Sequence, residues 1–151
     1  MNFRCLEIND ICFQFRNRTS EFRNNSIANS LITSPMGKLI DDFESYRTKM
    51  NARIMESSNT NIKRFFALDT TSYAEGALDV KTKEMLGLVA SMVLRCDDCI
   101  KYHLGKCHEA GVNHDEMNEV FMIANLVGGS IVIPHYRRAV EYWDELNEVN
   151  A

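Results

Sequence analysis

The sequence predicts an all-α domain of about six helices, and three observations support this fold class. Apolar residues recur at steps of three and four along most of the chain after Met36, which is the period of an amphipathic helix. Residues typical of helix ends also appear in a consistent order. Gly111 suits the end of one helix, and Asn113 with Glu116 forms a capping-box pattern at the start of the next. No segment shows the sustained alternation of apolar and polar residues that a half-buried strand requires.

The first 35 residues differ in composition from the remainder. They are rich in asparagine and polar residues, and their apolar residues follow no clear period. We expect residues 1–35 to be a poorly ordered N-terminal extension, with Met36 as a candidate natural start, and residues 36–151 to form the helical domain.

The apolar pattern places the helices along the domain. The predicted helices lie, in chain order, at about 39–54, 62–68, 80–94, 96–111, 113–128 and 134–146. Residues 67–79 are expected to form a loop and turn. The third helix is apolar on almost every side, so it is expected to be buried. Gly128 and Gly129 interrupt the pattern, and Pro134 suits the first turn of the last helix.

The composition excludes several functional classes. The chain has 151 residues, is 45% hydrophobic and 25% charged, and carries a formal net charge of −4, which is typical of one globular domain. It has no basic stripe for nucleic acid and no apolar run near the ~20 residues that cross a membrane. It also shows no signal-peptide pattern, so a cytoplasmic location is expected. In that reducing compartment, a closely spaced cysteine pair is more often catalytic or metal-binding than structural.

The chemically informative segment is a CxxC motif, Cys96-Asp97-Asp98-Cys99. Cys99 and His103 are four residues apart, so they share one face of the predicted fourth helix. If the third and fourth helices form a hairpin that turns near Arg95, Glu84 lies about 16 Å before the turn and His103 about 12 Å after it. The carboxylate and the imidazole would then lie at similar heights in the hairpin.

This arrangement would permit a relay from carboxylate to imidazole to thiol. A nearby imidazole and a helix N-terminus both lower the pKa of a thiol and so favour the nucleophilic thiolate. A carboxylate behind the imidazole fixes its tautomer. The second thiol can close a disulfide once the first is oxidised. Asp97 and Asp98 act in the opposite direction, because negative charge raises the pKa of a neighbouring thiol.

Zinc binding is the main alternative for these residues. Cys96, His103 and Cys107 lie on one predicted helix, and Cys96 and Cys107 would be about 16 Å apart along it. Ligands of one zinc ion lie within about 4 Å of each other, given bonds to sulfur of about 2.3 Å. A continuous helix cannot gather them, so no metal site is expected, and Cys107 is expected to lie in the core or on the surface. Three further histidines are expected to be surface or capping residues: His108, His114 and His135.

The motif also supports a family resemblance. Glu84, eleven residues, the CxxC, three residues and His103 stand in the pattern of the alkylhydroperoxidase D-like branch of the carboxymuconolactone decarboxylase superfamily. The segment LDVKTKEMLGLVASMVLRCDDCIKYHLGKCHEAGV resembles that family throughout, and EMNEVFMIANLVGGS resembles its next helix and glycine turn. The resemblance covers about residues 78–140. Some members have a second histidine where this chain has Asp98.

The resemblance implies an all-helical fold that assembles as a homotrimer or homohexamer. It implies thiol-dependent reduction of hydroperoxides, with electrons from a dithiol reductant such as lipoamide on a carrier protein. No cofactor is expected. Cys99 would be the activated thiol, His103 its partner, Glu84 the relay carboxylate and Cys96 the second thiol. Three alternatives remain open from the sequence: a general disulfide oxidoreductase, a thiol switch, and a non-redox decarboxylase-like enzyme on the same scaffold.

Overall fold

The computed structural model describes residues 37–148, and every regular element in this range is helical. The elements are α1 (Lys38–Ser57), α2 (Thr60–Ser72), α3 (Val80–Val93), α4 (Asp97–Glu109), α5 (His114–Gly128), a 3₁₀ turn (Ser130–Val132) and α6 (Ile133–Glu148). The predicted all-α fold class of about six helices is therefore confirmed for this range. The predicted extension at residues 1–35 lies outside the described residues. None of the described helices is both long and apolar enough to cross a membrane.

The core is built where α3 packs against α4 and α5, and where α6 covers α4. Its largest fully buried side chains come from α3, α4, α5, α6 and the 3₁₀ turn. They include Leu88, Met92, Leu104, Phe121 and Trp143. Helix α1 adds Ile40 and Phe43 to the same core and packs against α6. The α3–α4 hairpin is consequently held from two sides.

Side-chain caps fix where the helices begin. The Asp79 carboxylate accepts a hydrogen bond of 2.7 Å from the Thr82 backbone N–H and so caps α3. Asn113 and Glu116 form the predicted capping box, with reciprocal hydrogen bonds of 3.0 and 2.9 Å. Such caps satisfy the free N–H groups of the first helical turn.

The structure corrects two expectations about the helices and shows one further exposed apolar side chain. Helix α2 continues to Ser72, through part of the segment expected to be a loop. The side of α3 that carries Leu86 is not covered, since Leu86 is 56% exposed. The apolar pattern of α1 continues beyond Phe43, but Tyr46 is 62% exposed.

Candidate functional site

The chain enters the CxxC motif through a tight reversal at the end of α3. Arg95 adopts a left-handed backbone conformation, with φ of 59°. Its N–H donates to the Met92 carbonyl, and the Cys96 N–H donates to the Ser91 carbonyl, at 3.1 and 3.0 Å. These two bonds form a Schellman motif, in which glycine is the usual left-handed residue because other residues are strained there. The reversal delivers Cys96 directly to the start of α4.

Cys96 and Cys99 lie together in the first turn of α4 and are joined by a disulfide, with their Cα atoms 5.3 Å apart. Cys96 is the N-cap residue, and its sulfur accepts a hydrogen bond of 3.3 Å from the Cys99 backbone N–H. Cys99 is exposed, whereas Cys96 is partly buried. After reduction, both sulfurs would lie at the positive end of the helix dipole, which favours a thiolate.

Glu84 of α3 and His103 of α4 form a buried pair between the two helices of the hairpin. The Glu84 Oε2 and His103 Nδ1 atoms are 2.7 Å apart, and the two residues are only 3% and 8% exposed. A carboxylate at this distance accepts the Nδ1 hydrogen and so leaves Nε2 as the acceptor nitrogen of the neutral ring. The hairpin thus brings together two residues that stand 19 positions apart.

Two tyrosines and one glycine hold the imidazole in place. The rings of Tyr73 and Tyr102 each lie 5.3 Å from the His103 ring, centroid to centroid. A methyl group added at Gly87 would lie 2.6 Å from both His103 Cε1 and the Tyr73 hydroxyl. Only a residue without a side chain therefore lets His103 approach α3 this closely. The pKa values of Tyr73 and Tyr102 are raised, first by burial and then by the negative charge of Glu84, so both phenols stay neutral.

An open cleft of about 330 Å³ gives access to the site. Cys99 and His103 both line this cleft, and Cys96 is not among its lining residues. Arg47 of α1 also lines it, with its guanidinium 4.3 Å from the centre of the Tyr102 ring. The remaining lining residues are Phe43, Tyr46, Met50, Asn51, Asp69, Asp98 and Tyr102. A small molecule in the cleft would therefore meet Cys99 before Cys96.

A second charged cluster lies beside the cysteines, and sequence reasoning missed it. The Asp97 carboxylate accepts a hydrogen bond from His135 Nδ1 at 2.7 Å and two from Arg138 Nη2 at 3.0 Å. Partial burial alone would raise the pKa of Asp97, but the hydrogen bonds from His135 and Arg138 lower it. His135 was expected to be a surface or capping residue, but it is partly buried and bonded to Asp97. Because 38 residues separate the two, no local pattern in the sequence indicates this contact.

Cys107 does not take part in the site. It is a free, fully buried thiol. Burial, and then the negative charge of Glu84, raise its pKa to about 12. Helix α4 runs without interruption from Asp97 to Glu109, so Cys107 lies about three turns along the helix from Cys96. Residues 37–148 contain no group of three or more His, Cys, Asp or Glu side chains placed to hold a metal ion.

Comparison with known proteins places this fold in a family. The family model for the carboxymuconolactone decarboxylase family matches residues 61–142, which include all four predicted site residues. An uncharacterised protein encoded in the cox locus of Paracoccus denitrificans is 26% identical over 102 residues, which are 66% of this chain and 92% of that protein.

Solved structures show the same relationship. A crystal structure from Thermotoga maritima is 52% identical, with a TM-score of 0.72 over 73% of this chain and 96% of that one. A second structure from that organism, also 52% identical with a TM-score of 0.70 over 72% and 92% of the chains, is of a carboxymuconolactone decarboxylase family protein with a possible antioxidative role. A family member from Legionella pneumophila, 22% identical, shares the fold with a TM-score of 0.67 over 73% and 98% of the chains. The chain belongs to the carboxymuconolactone decarboxylase family.

Proposed function

We propose that this protein is a thiol-dependent antioxidant enzyme that reduces hydroperoxides through the Cys96–Cys99 couple. One observation carries the proposal: His103, which is bonded to the buried Glu84, lines the same cleft as the exposed Cys99, and Cys99 is already bonded to Cys96. A buried carboxylate–imidazole pair is the usual means of activating a neighbouring nucleophile.

The proposed reaction begins with the reduced protein. His103 Nε2 accepts the Cys99 proton, and Glu84 stabilises the resulting imidazolium. The Cys99 thiolate attacks one oxygen of the hydroperoxide, the O–O bond breaks, and the departing alkoxide takes the proton from His103 to leave as an alcohol. Cys99 is then a sulfenic acid.

Cys96 completes the oxidative half of the reaction. Its sulfur attacks the sulfur of the Cys99 sulfenic acid, which releases water and forms the disulfide. A dithiol reductant, such as lipoamide on a carrier protein, then returns the disulfide to two thiols and becomes a disulfide itself. One hydroperoxide and one dithiol are consumed in each cycle, so atoms and electrons balance.

The family resemblance supports the same chemistry. The spacing of Glu84, the CxxC motif and His103 is that of the alkylhydroperoxidase D-like branch, and the Thermotoga relative has a possible antioxidative role. Asp98 lines the cleft with Cys99, and its negative charge opposes thiolate formation. We therefore expect a modest rate with simple peroxides.

Peroxide consumption tests the proposal. Purified protein with tert-butyl hydroperoxide and dihydrolipoamide should consume peroxide catalytically, and C99S and C96S should each abolish turnover. Cys107→Ala is the matched control, because it removes a cysteine that does not line the cleft, and it should retain turnover. Equal turnover in the wild type and C99S would contradict the proposal.

A thiol switch or disulfide oxidoreductase is the second candidate, and the exposure of Cys99 favours it because a protein partner could reach that sulfur. In that case one equivalent of peroxide or of a disulfide would oxidise the pair without sustained peroxide turnover. Turnover of a lactone by a C96S/C99S variant would instead indicate a non-redox, decarboxylase-like enzyme.

We further propose that the protein functions in the cytoplasm as a homotrimer or homohexamer. Several large apolar side chains stay exposed in a single chain, including Leu94 at 75% and Leu126 at 77%. Helix α2 buries none of its residues. Monomeric proteins rarely leave so much apolar surface uncovered, so contact with further copies would explain it.

A further inference from the structure

The two aspartates between the cysteines have different surroundings. Asp97, the first residue of α4, is held by three hydrogen bonds from Arg138 and one from His135, both on α6. Among residues 37–148, Asp98 has no such partner, and it lines the cleft. The negative charge of one aspartate is therefore matched by a cation, and that of its neighbour is not.

The contacts of Asp97 also fix its position. Arg138 Nη2 contacts both carboxylate oxygens at 3.0 Å, and Arg138 Nε contacts one of them at 3.2 Å. A guanidinium holds a carboxylate in one orientation through such forked bonds, which a single ammonium cannot do. Since Asp97 follows Cys96 directly, this pairing attaches the cysteine end of α4 to α6.

We propose that Arg138 and His135 are positioning residues that hold Asp97 and offset its charge beside Cys96, so that the thiols ionise more readily than a CDDC sequence would otherwise allow. The inference rests on the proposed function only in treating Cys96 and Cys99 as the reactive pair. An unpaired carboxylate next to a thiol disfavours the thiolate. Pairing that carboxylate with a cation removes part of its unfavourable effect on the thiolate.

Other charged groups around the cysteines also influence how readily the thiols ionise. These groups are Arg47 on α1, Asp69 on α2, Glu84 on α3, Arg95 in the turn, and Asp98 and His103 on α4. Besides Asp97, Arg138 contacts His135, whose Nδ1 atom lies 2.9 Å from Arg138 Nη2. A change at Arg138 therefore acts on Asp97 and on the His135 ring bonded to it.

The test is the rate at which the reduced thiols react with iodoacetamide as a function of pH, followed by mass spectrometry. Arg138→Gln should slow alkylation about three- to tenfold near neutral pH and move the profile to higher pH, because it frees the Asp97 charge. Arg137→Gln is the matched control. It removes the same charge from the neighbouring exposed position, where no contact with Asp97 exists, and its profile should coincide with that of the wild type.

Two further variants separate positioning from simple charge. Arg138→Lys keeps the charge but lacks the forked geometry, and it should recover part of the rate. In an Asp97→Asn background, Arg138→Gln should cause no further change, because Arg138 acts through Asp97. An equal slowing in both backgrounds, or identical profiles for Arg138→Gln and Arg137→Gln, would overturn the proposal. Circular dichroism identifies any variant that fails to fold, and the exposed position of Arg138 makes this unexpected.

The alkylation assay contains no peroxide, so its result tests the role of Arg138 separately from the proposed peroxidase activity. A shifted profile without peroxide turnover would support the role of Arg138 and refute the peroxidase. Turnover with unshifted profiles would do the reverse.

Discussion

Gly87 offers a direct test of the Glu84–His103 geometry, because replacing it with alanine adds one methyl group against the imidazole. That methyl would lie 2.6 Å from His103 Cε1 and from the Tyr73 hydroxyl, whereas ordinary contacts begin at 3.4 Å. His103 and Tyr73 must therefore each move by about 0.8 Å, the difference between the two distances. The ring cannot move that far from α3 and keep its 2.7 Å contact with Glu84.

Two opposing effects determine the stability of Gly87→Ala. Alanine is favoured over glycine inside a helix by about 1 kcal/mol. Forcing an extra methyl into a packed interior costs about 1–3 kcal/mol. We expect a net loss of stability of up to about 2 kcal/mol, and a thiol reaction slowed about 10²-fold, the usual effect of a misplacement near 1 Å.

Gly105→Ala is the matched control. Gly105 lies inside α4, and a methyl group there would contact nothing within 4 Å. Because alanine is favoured over glycine inside a helix, Gly105→Ala should be more stable by about 1 kcal/mol, which raises the thermal midpoint by about 2–4 °C. Its thiol reactivity should be unchanged. Thermal melts measure the stability, and the rate at which peroxide oxidises the reduced Cys96–Cys99 pair measures the thiol reactivity. If the two variants behave alike, the close approach at Gly87 does not hold the relay in place.

Four further predictions follow from the site and its surroundings. Glu84→Gln and His103→Gln should each slow thiol oxidation about 10²–10⁴-fold, with Glu119→Gln as an exposed control; wild-type rates would exclude the relay. In the reduced native protein, limited alkylation should label Cys99 before Cys96 and leave Cys107 unlabelled; faster labelling of Cys96 would reverse their roles. Light scattering should give the mass of a trimer or hexamer, and a mass near 17.3 kDa at all concentrations would exclude assembly. Arg95→Gly should raise stability by about 1 kcal/mol by relieving the left-handed strain, whereas Arg95→Ala should not.

The helices were largely predictable because their signals are local. The apolar period predicted a helix over residues 80–94, and α3 spans Val80–Val93. The Asn113–Glu116 pattern correctly predicted the start of α5. Both signals depend on residues within one or two helical turns of each other. The pairing of Glu84 with His103 was also anticipated, since a hairpin of two straight helices fixes the heights of their residues.

The end of α2 was missed for a physical reason. Its last turn is Thr70-Thr71-Ser72, and such residues favour caps and turns over helix interiors. Here their hydroxyls donate to the carbonyls of Phe66 and Leu68 one turn earlier, so the helix continues. The longer helix ends beside Tyr73, which then reaches His103. No sequence signal links that tyrosine to a site 30 residues away.

The Glu84–His103 and Asp97–Arg138 pairs differ in how deeply they are buried. Glu84 is buried, so removing the imidazole that contacts it would leave a carboxylate without that hydrogen bond, which commonly costs about 1–3 kcal/mol or more. The Asp97–Arg138 pair is partly exposed, and such pairs contribute about 0–1 kcal/mol. Changes at the buried pair therefore alter folding together with chemistry, while changes at Arg138 leave the fold nearly untouched. Because a small shift in thiolate population changes the rate directly, we infer that reactivity can be adjusted at the α6 surface without loss of the relay.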